Sequence, residues 1–348
     1  MERHEIVRRA IEFNTPPRLP FFLGDIWGER LRNTISGFTN DVCDCYEMDR
    51  QKAGWFFDNP QLDDWGCGWQ TSNIENMGQV VSHPLENWNA LETYLPPNPK
   101  DPFYFDRIEE NIKGAQDRYV VVTCHFNLFE RLHMLHGFEN TLMDFYLEPS
   151  KIEKILDMIL AFKIDILGEL ARRFKNRIHG IFFTDDWGSQ QGTLVSKEIF
   201  HKFFFIRYKA LIDAVHGHKW DFILHSCGKI NDFVPLFIDL GIDVLNMQQP
   251  QAYGIREIGQ NFAGKICFLT TVDIQSTLPG NDETAIQEEA KELVKYWSTP
   301  QGGFIVFNYG DPNAIGTTDK ATETMFRSFF DLATYWAEDN QKLYNKKL

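Results

Sequence analysis

The residues best placed to do chemistry are His225, Ser226 and Cys227, within the segment WDFILHSCGKINDFVPLFIDLGIDVLNMQQ from Trp220 to Gln249. An apolar run, Phe222 to Leu224, delivers them into a turn at Gly228; a helix-like segment follows, and a second apolar run, Ile242 to Leu245, closes a βαβ pattern. In parallel α/β folds the reactive groups sit where strands end and loops begin, which is where this trio stands. His225 and Cys227 form an H-x-C pair. Zinc takes three protein ligands in catalytic sites and four in structural ones, so a metal site needs a further ligand. Cys124, Asp186, Cys267 and Asp311 are candidates, and spacing alone selects none of them. The alternative is a hydrogen-bonding histidine and a small buried thiol beneath a ligand pocket.

The elements that must position this turn can be read in chain order. Glu2 to Phe13 has helical apolar spacing, stopped by Pro16 and Pro17, and Leu19 to Leu23 is a short strand. Residues 36 to 60 are acidic and aromatic without a clear period. Asp64 to Gln70 and Gly78 to Ser82 pattern as a hairpin, and the proline-rich LPPNPKDP at 95 to 102 as an exposed loop. Strands are then expected at Tyr119 to Thr123, Gly180 to Thr184, Phe222 to Leu224, Ile242 to Leu245, Ile266 to Thr270 and Phe304 to Phe307. Between them lie a long amphipathic helix opened by a capping box at Ser150 and Glu153, and a helix from Ser196 to about His216; a terminal helix starts at Asp319. Seven strands alternating with helices give the rhythm of a (β/α)8 TIM barrel with an N-terminal hairpin and helical additions, the whole of 1 to 348 forming a single domain. A doubly wound sheet would carry a glycine-rich dinucleotide loop or a Walker motif, and neither is present.

A barrel gathers its strand ends at one face, and here nearly every strand ends in a polar or ionisable side chain. The set is Asp25 and Trp27, Cys124 and His125, Asp185 and Asp186, His225 and Cys227, Asn246 and Gln248, Asp273, then Asn308, Tyr309 and Asp311. Asp185 and Asp186 are adjacent and face opposite ways, so one enters the pocket while the other fixes a loop. Tyr309 could donate a proton and Asn308 could orient a substrate; the plainer reading is that they cap the loop after their strand.

A formal charge of −14 argues against nucleic acid or an anionic membrane as the main partner, since both would repel the chain. Six scattered cysteines suit free thiols in a reducing compartment rather than a disulfide scaffold. No apolar run approaches the ~20 residues needed to span a bilayer, and no signal peptide opens the sequence, so a soluble cytoplasmic protein is expected.

HSCG with GIDVLNMQQP, DDWGSQQG, VDIQSTLP and GGFIVFNYGDPNAI occur in order, and together they resemble the uroporphyrinogen decarboxylase-like superfamily from about Asp25 to the end. The resemblance implies a (β/α)8 barrel and one of two activities. One is cofactor-free decarboxylation; the other is methyl transfer with a corrinoid protein, as in methylcobamide:coenzyme M methyltransferases and aryl methyl ether O-demethylases. Decarboxylases grip their substrate carboxylates with an RQAGRY-like signature, whereas FFLGDIWGERL offers Arg30 and Arg32 only further on. The coenzyme M branch adds a distant cysteine to its H-x-C zinc pair, and FNYGDPNAI holds none.

The resemblance therefore points to a methyltransferase that moves a methyl group from a methoxylated aromatic to the Co(I) corrinoid of a partner protein, leaving a phenol. The alternative is a cofactor-free lyase acting on a carboxylated substrate. A phenyl ether is apolar and planar and suits aromatic walls, for which 30 Phe, 9 Trp and 11 Tyr are available. Trp27, His125, Phe126, Trp187, Gln190 and Asn308 are assigned to substrate binding. Phenol has a pKa of about 10, so a proton or a Lewis acid at the leaving oxygen lowers the barrier. Asp186, His225 and Tyr309 are assigned to this proton donation, with Asp273 in support; a bound zinc would instead be held by His225 and Cys227. The cobalamin-binding pattern DxHxxG is absent, so the corrinoid comes on its own protein. The pattern is also compatible with a homodimer.

Overall fold

The computed structural model describes residues 1–46, 62–70, 78–310 and 312–334; Asp311 lies outside them. Eight strands run parallel in the order β1 (Phe21–Phe22), β10 (Phe304–Phe307), β9 (Cys267–Thr270), β8 (Val244–Met247), β7 (Asp221–His225), β6 (Gly180–Thr184), β5 (Tyr119–Cys124) and β2 (Val42–Tyr46). The two end strands meet, Asp41 N donating to the Phe21 carbonyl at 2.8 Å. Side chains complete this seam: Asp41 Oδ2 accepts from Phe21 N at 2.9 Å, and Asn40 pairs both backbone groups of Leu23. The sheet thus curls into the expected TIM barrel.

The eighth strand, β2, falls where the apolar pattern was unreadable. Its sequence VCDCY carries one β-branched residue and an acid, yet it pairs with β5 over five residues, Val42↔Tyr119 to Tyr46↔Thr123. Pairing with an already assembled neighbour overrides weak intrinsic propensity. A second, two-stranded sheet is the expected hairpin, β3 (Gly68–Gln70) antiparallel to β4 (Gln79–Ser82). Asp63 ties it to the barrel, accepting from Trp65 N, Cys67 N and Trp69 Nε1 while pairing with Arg131 Nη1 at 2.7 Å, both side chains being buried.

Strand alternation sorts the side chains into two cores. Phe22, Val42, Tyr119, Val121, Phe182, Ile223, Val244, Cys267, Leu269 and Ile305 fill the barrel interior, and the helix Arg3–Ile11 closes its floor with Val7, Ala10 and Ile11. Opposite-facing residues pack against the outer helices in a far larger cluster. The long helix spans Pro149–Phe174, so Ser150 lies within its first turn instead of capping it; proline at the first position supplies the start. Ser196 does cap the next helix, accepting from Ile199 N at 3.3 Å, and that helix passes through a π-helical stretch, Phe200–Phe205, before running Ile206–Gly217. All six cysteines are free thiols, and no described helix is long and apolar enough to cross a membrane.

Candidate functional site

Positions 221, 223 and 225 of β7 face the barrel interior, which carries the His225 ring to the inner side of the mouth. Register places Thr184 on one side of His225 and Asn246 on the other. Asn246 is the anchor. Its Nδ2 donates to the Leu269 carbonyl at 2.8 Å, an acceptor that allows only one amide orientation, so its Oδ1 faces His225. That oxygen lies 2.6 Å from His225 Nδ1 and must receive its proton, which leaves the Nε2 lone pair pointing away. Nε2 lies 3.2 Å from Cys227 Sγ and 3.7 Å from Asp186 Oδ1.

Asp186 comes from the loop after β6. The two loops touch backbone to backbone: a Cβ on Gly228 would stand 2.2 Å from Gly188 C and O, and one on Gly188 would stand 2.6 Å from Gly228 C. Gly228 also adopts φ +74°, a region open to glycine. Lys229 N donates to the Ser189 carbonyl at 2.7 Å, and Cys227 N to Asp186 Oδ1 at 2.7 Å, fixing the thiol against the carboxylate. Ligand atoms of Asp186, His225 and Cys227 all lie within 4.8 Å of one another. An imidazole with a fixed tautomer, a thiol and a carboxylate make a three-ligand set with an open fourth position, the pattern of a catalytic zinc site. Among the described residues, Asp186 is the one of the candidate ligands that the fold brings beside His225 and Cys227. Cys267 is buried in the barrel interior near its floor, and Cys124 belongs to the outer core.

Beneath the histidine lies an aromatic floor. Phe22 and Phe307 meet edge to face at 5.2 Å, Phe307 stacks on Phe182 at 6.3 Å, and the His225 ring lies parallel to Phe182 at 6.4 Å. The electrostatics above it are dominated by buried acid. Burial, then the charges of Asp186 and Asp185, holds the Glu130 carboxyl well above the ordinary carboxylate range; Thr184 Oγ1 donates to it at 2.8 Å. Burial, followed by Asp186 and Glu130, likewise holds Cys227 as a thiol. A cation at the cluster would offset the share of both shifts that comes from the neighbouring carboxylates, leaving the share due to burial.

A uroporphyrinogen decarboxylase (URO-D) family model matches residues 65–327. The chain belongs to this family. Its fold overlays that of a methyltransferase from Methanosarcina mazei with a TM-score of 0.68 at 15% identity, covering 97% of this chain and 100% of that chain. A D-psicose 3-epimerase, solved in the presence of D-fructose, gives a TM-score of 0.45 at 12% identity over 90% of this chain and 98% of that chain. No curated protein matches the sequence.

Within this URO-D barrel the remaining expected residues scatter. Asp185 is buried and caps the helix Leu128–His136 by accepting from Phe129 N and Glu130 N, with Tyr208 Oη donating at 2.6 Å; it is the loop-fixing member of its pair. Trp187 is fully buried in the outer aromatic core, stacked on Phe129 at 4.7 Å, with its Nε1 donating to Tyr208 Oη. Phe126 is buried between Trp69 and the Arg131 guanidinium, at φ +52°. Trp27 is buried against Phe326 in the layer between barrel and helices. These three rings are structural walls. Asp273 accepts from Gln251 N, Gln275 N, Ser276 N and Ser276 Oγ, which uses its lone pairs to order the loop after β9. Gln190 is exposed on the loop after β6, and His125, Asn308 and Tyr309 sit at the mouth. Three polar groups of the barrel escaped sequence reasoning. Glu130 was legible as a lone acid in the apolar helix LFERLHMLH. Asp44, bonded to Thr123 Oγ1 at 2.6 Å, went with the unread strand. Tyr253, a buried phenol near enough to feel the charges of Cys227 and Asp186, gave no signal.

Proposed function

We propose that this chain transfers a methyl group from a methoxylated aromatic to the Co(I) corrinoid of a partner protein, releasing a phenol. The observation that carries the reading is the Asp186–His225–Cys227 cluster standing over the floor of Phe22, Phe182 and Phe307. A planar ring stacks on such a floor, and its ether oxygen then meets the polar cluster. Family membership and the likeness to a methyltransferase barrel support it.

Asp186, His225 and Cys227 would hold a zinc ion, whose Lewis acidity would stabilise the departing phenolate oxygen. Asn246 keeps His225 in the tautomer that presents Nε2. Glu130, protonated by its burial, stands beside this cluster as a proton reserve for the phenolate. Tyr309 at the mouth contributes a second hydroxyl, while Asp273 acts through the loop it orders. Three basic side chains of the barrel are engaged within the protein: Arg30 with Asp319, Arg131 with Asp63, and Lys163 on the His125 carbonyl.

The test is incubation of the zinc-loaded protein with methoxylated aromatics and a Co(I) corrinoid, following methylcobalamin by absorbance and the phenol by chromatography. Stoichiometric formation of both is expected, with loss of at least tenfold in rate on chelation. Demethylation without any corrinoid, or none with any ether, would overturn the reading.

A further inference from the structure

We propose that Gln248 is a specificity residue that accepts a hydrogen bond from the substrate, so that the preferred methoxylated ring also carries a hydroxyl or amino group. This rests on the methyl-transfer reading above.

The argument is one of amide orientation. The Leu269 carbonyl fixes Asn246, and Asn246 Oδ1 then needs donors; it receives one from His225 Nδ1 at 2.6 Å and one from Gln248 Nε2 at 2.8 Å. Two lone pairs meet two protons, and the Gln248 amide is fixed in turn. Its Nε2 is spent on Asn246, 3.3 Å from the His225 ring, and its Oε1 is left over. That oxygen is buried and has no hydrogen-bond partner, in a residue only 8% exposed. Position 248 follows directly on β8, and its amide nitrogen, 3.3 Å from His225 Nδ1, places the orphan acceptor within one amide group of the histidine.

Its neighbour shows the contrast. Gln249 Oε1 accepts from Gly228 N at 3.2 Å and so is consumed in holding the loop after β7. Buried amide oxygens are satisfied in the great majority of cases, so an unmet one needs a donor, and beside His225 a bound ligand can supply it. A site built to accept from a substrate hydroxyl discriminates strongly against the analogue that lacks it, because the acceptor is then left unpaired. Methoxybenzene offers no such donor; a methoxyphenol does.

The experiment uses the zinc-loaded full chain and four ligands: methoxybenzene and 2-, 3- and 4-methoxyphenol. Binding is measured by calorimetry, and kcat/KM by transfer to a Co(I) corrinoid. At least one methoxyphenol is expected to exceed methoxybenzene by about tenfold to a hundredfold in both quantities. Gln248→Leu is expected to collapse that ratio toward one. A purely structural role would lower all four substrates together and leave the ratio unchanged. Should Gln248→Leu fail to fold, Gln248→Met carries the same test. Transfer from all four with equal efficiency, or a ratio that survives loss of the amide, would overturn this inference alone. Absence of transfer from any of them would overturn it together with the reading on which it rests.

Discussion

Gly228→Ala is the sharpest test of how the cluster is assembled. The added methyl carbon would stand 2.2 Å from Gly188 C and O, whereas ordinary contact begins at 3.4 Å, so the two loops must part by about 1.2 Å. Both neighbours are backbone, and neither can rotate away. The φ of +74° costs an alanine about 1–2 kcal/mol more than a glycine. Forced overpacking adds about 1–3 kcal/mol, for a total of about 2–5 kcal/mol. The displacement falls on the bond from Cys227 N to Asp186 Oδ1, now 2.7 Å, and on the spacing of the three ligand atoms. Zinc affinity is expected to drop about 10–100-fold, as for other disruptions of the groups that orient ligands. Competition titration with a chromogenic chelator reads the affinity, and urea denaturation reads the stability. Gly192→Ala is the control: a Cβ there meets nothing within 4 Å, and its effect should stay within about 0.5 kcal/mol. Wild-type zinc affinity and stability in Gly228→Ala would refute the backbone contact as the device that sets the cluster.

Asn246→Leu should free the His225 tautomer and weaken zinc by about 10–100-fold, with imidazole nitrogen shifts in NMR reporting both tautomers in place of one. Glu130 titrates above its unfolded value of 4.5, so the native state keeps a proton that the unfolded chain releases; stability should therefore fall as pH rises through and beyond 4.5. Glu130→Gln removes that dependence, and its stability relative to the parent should increase steadily with pH in denaturation series; a constant difference would refute the assignment. Arg131→Met leaves Asp63 charged and buried, at a cost of about 3–5 kcal/mol, and the double variant with Asp63→Asn should recover much of it in a thermodynamic cycle.

The residues that ended together were legible in unequal ways. His225 and Cys227 sit on one strand and its turn, so period and punctuation alone placed them at a strand end. Asp186 was legible as one of two acids after another strand, and the period of two already required Asp185 and Asp186 to part company, as their different partners show. Trp187, Phe126 and Trp27 have the right chemistry for a ligand wall and lie beside strand ends, yet each packs into the layer outside the barrel. An aromatic residue reads the same in sequence whether it turns toward the mouth or toward a helix. The floor under His225 comes instead from Phe22, Phe182 and Phe307, all within strands and all inward-facing.

What the sequence determined by itself was the local order of the chain: seven strands, their helices, and the polar residue at each strand end. Apolar period and turn chemistry act between near neighbours and survive in one dimension. The closing strand β2, the choice of Asp186 over Cys124 or Cys267 beside the H-x-C pair, and the orientations passed from Leu269 to Asn246 and on to Gln248 were decided only by the fold. Each depends on which strand lies beside which and on how many donors meet one acceptor, and residues tens of positions apart acquire those relations only when the barrel closes.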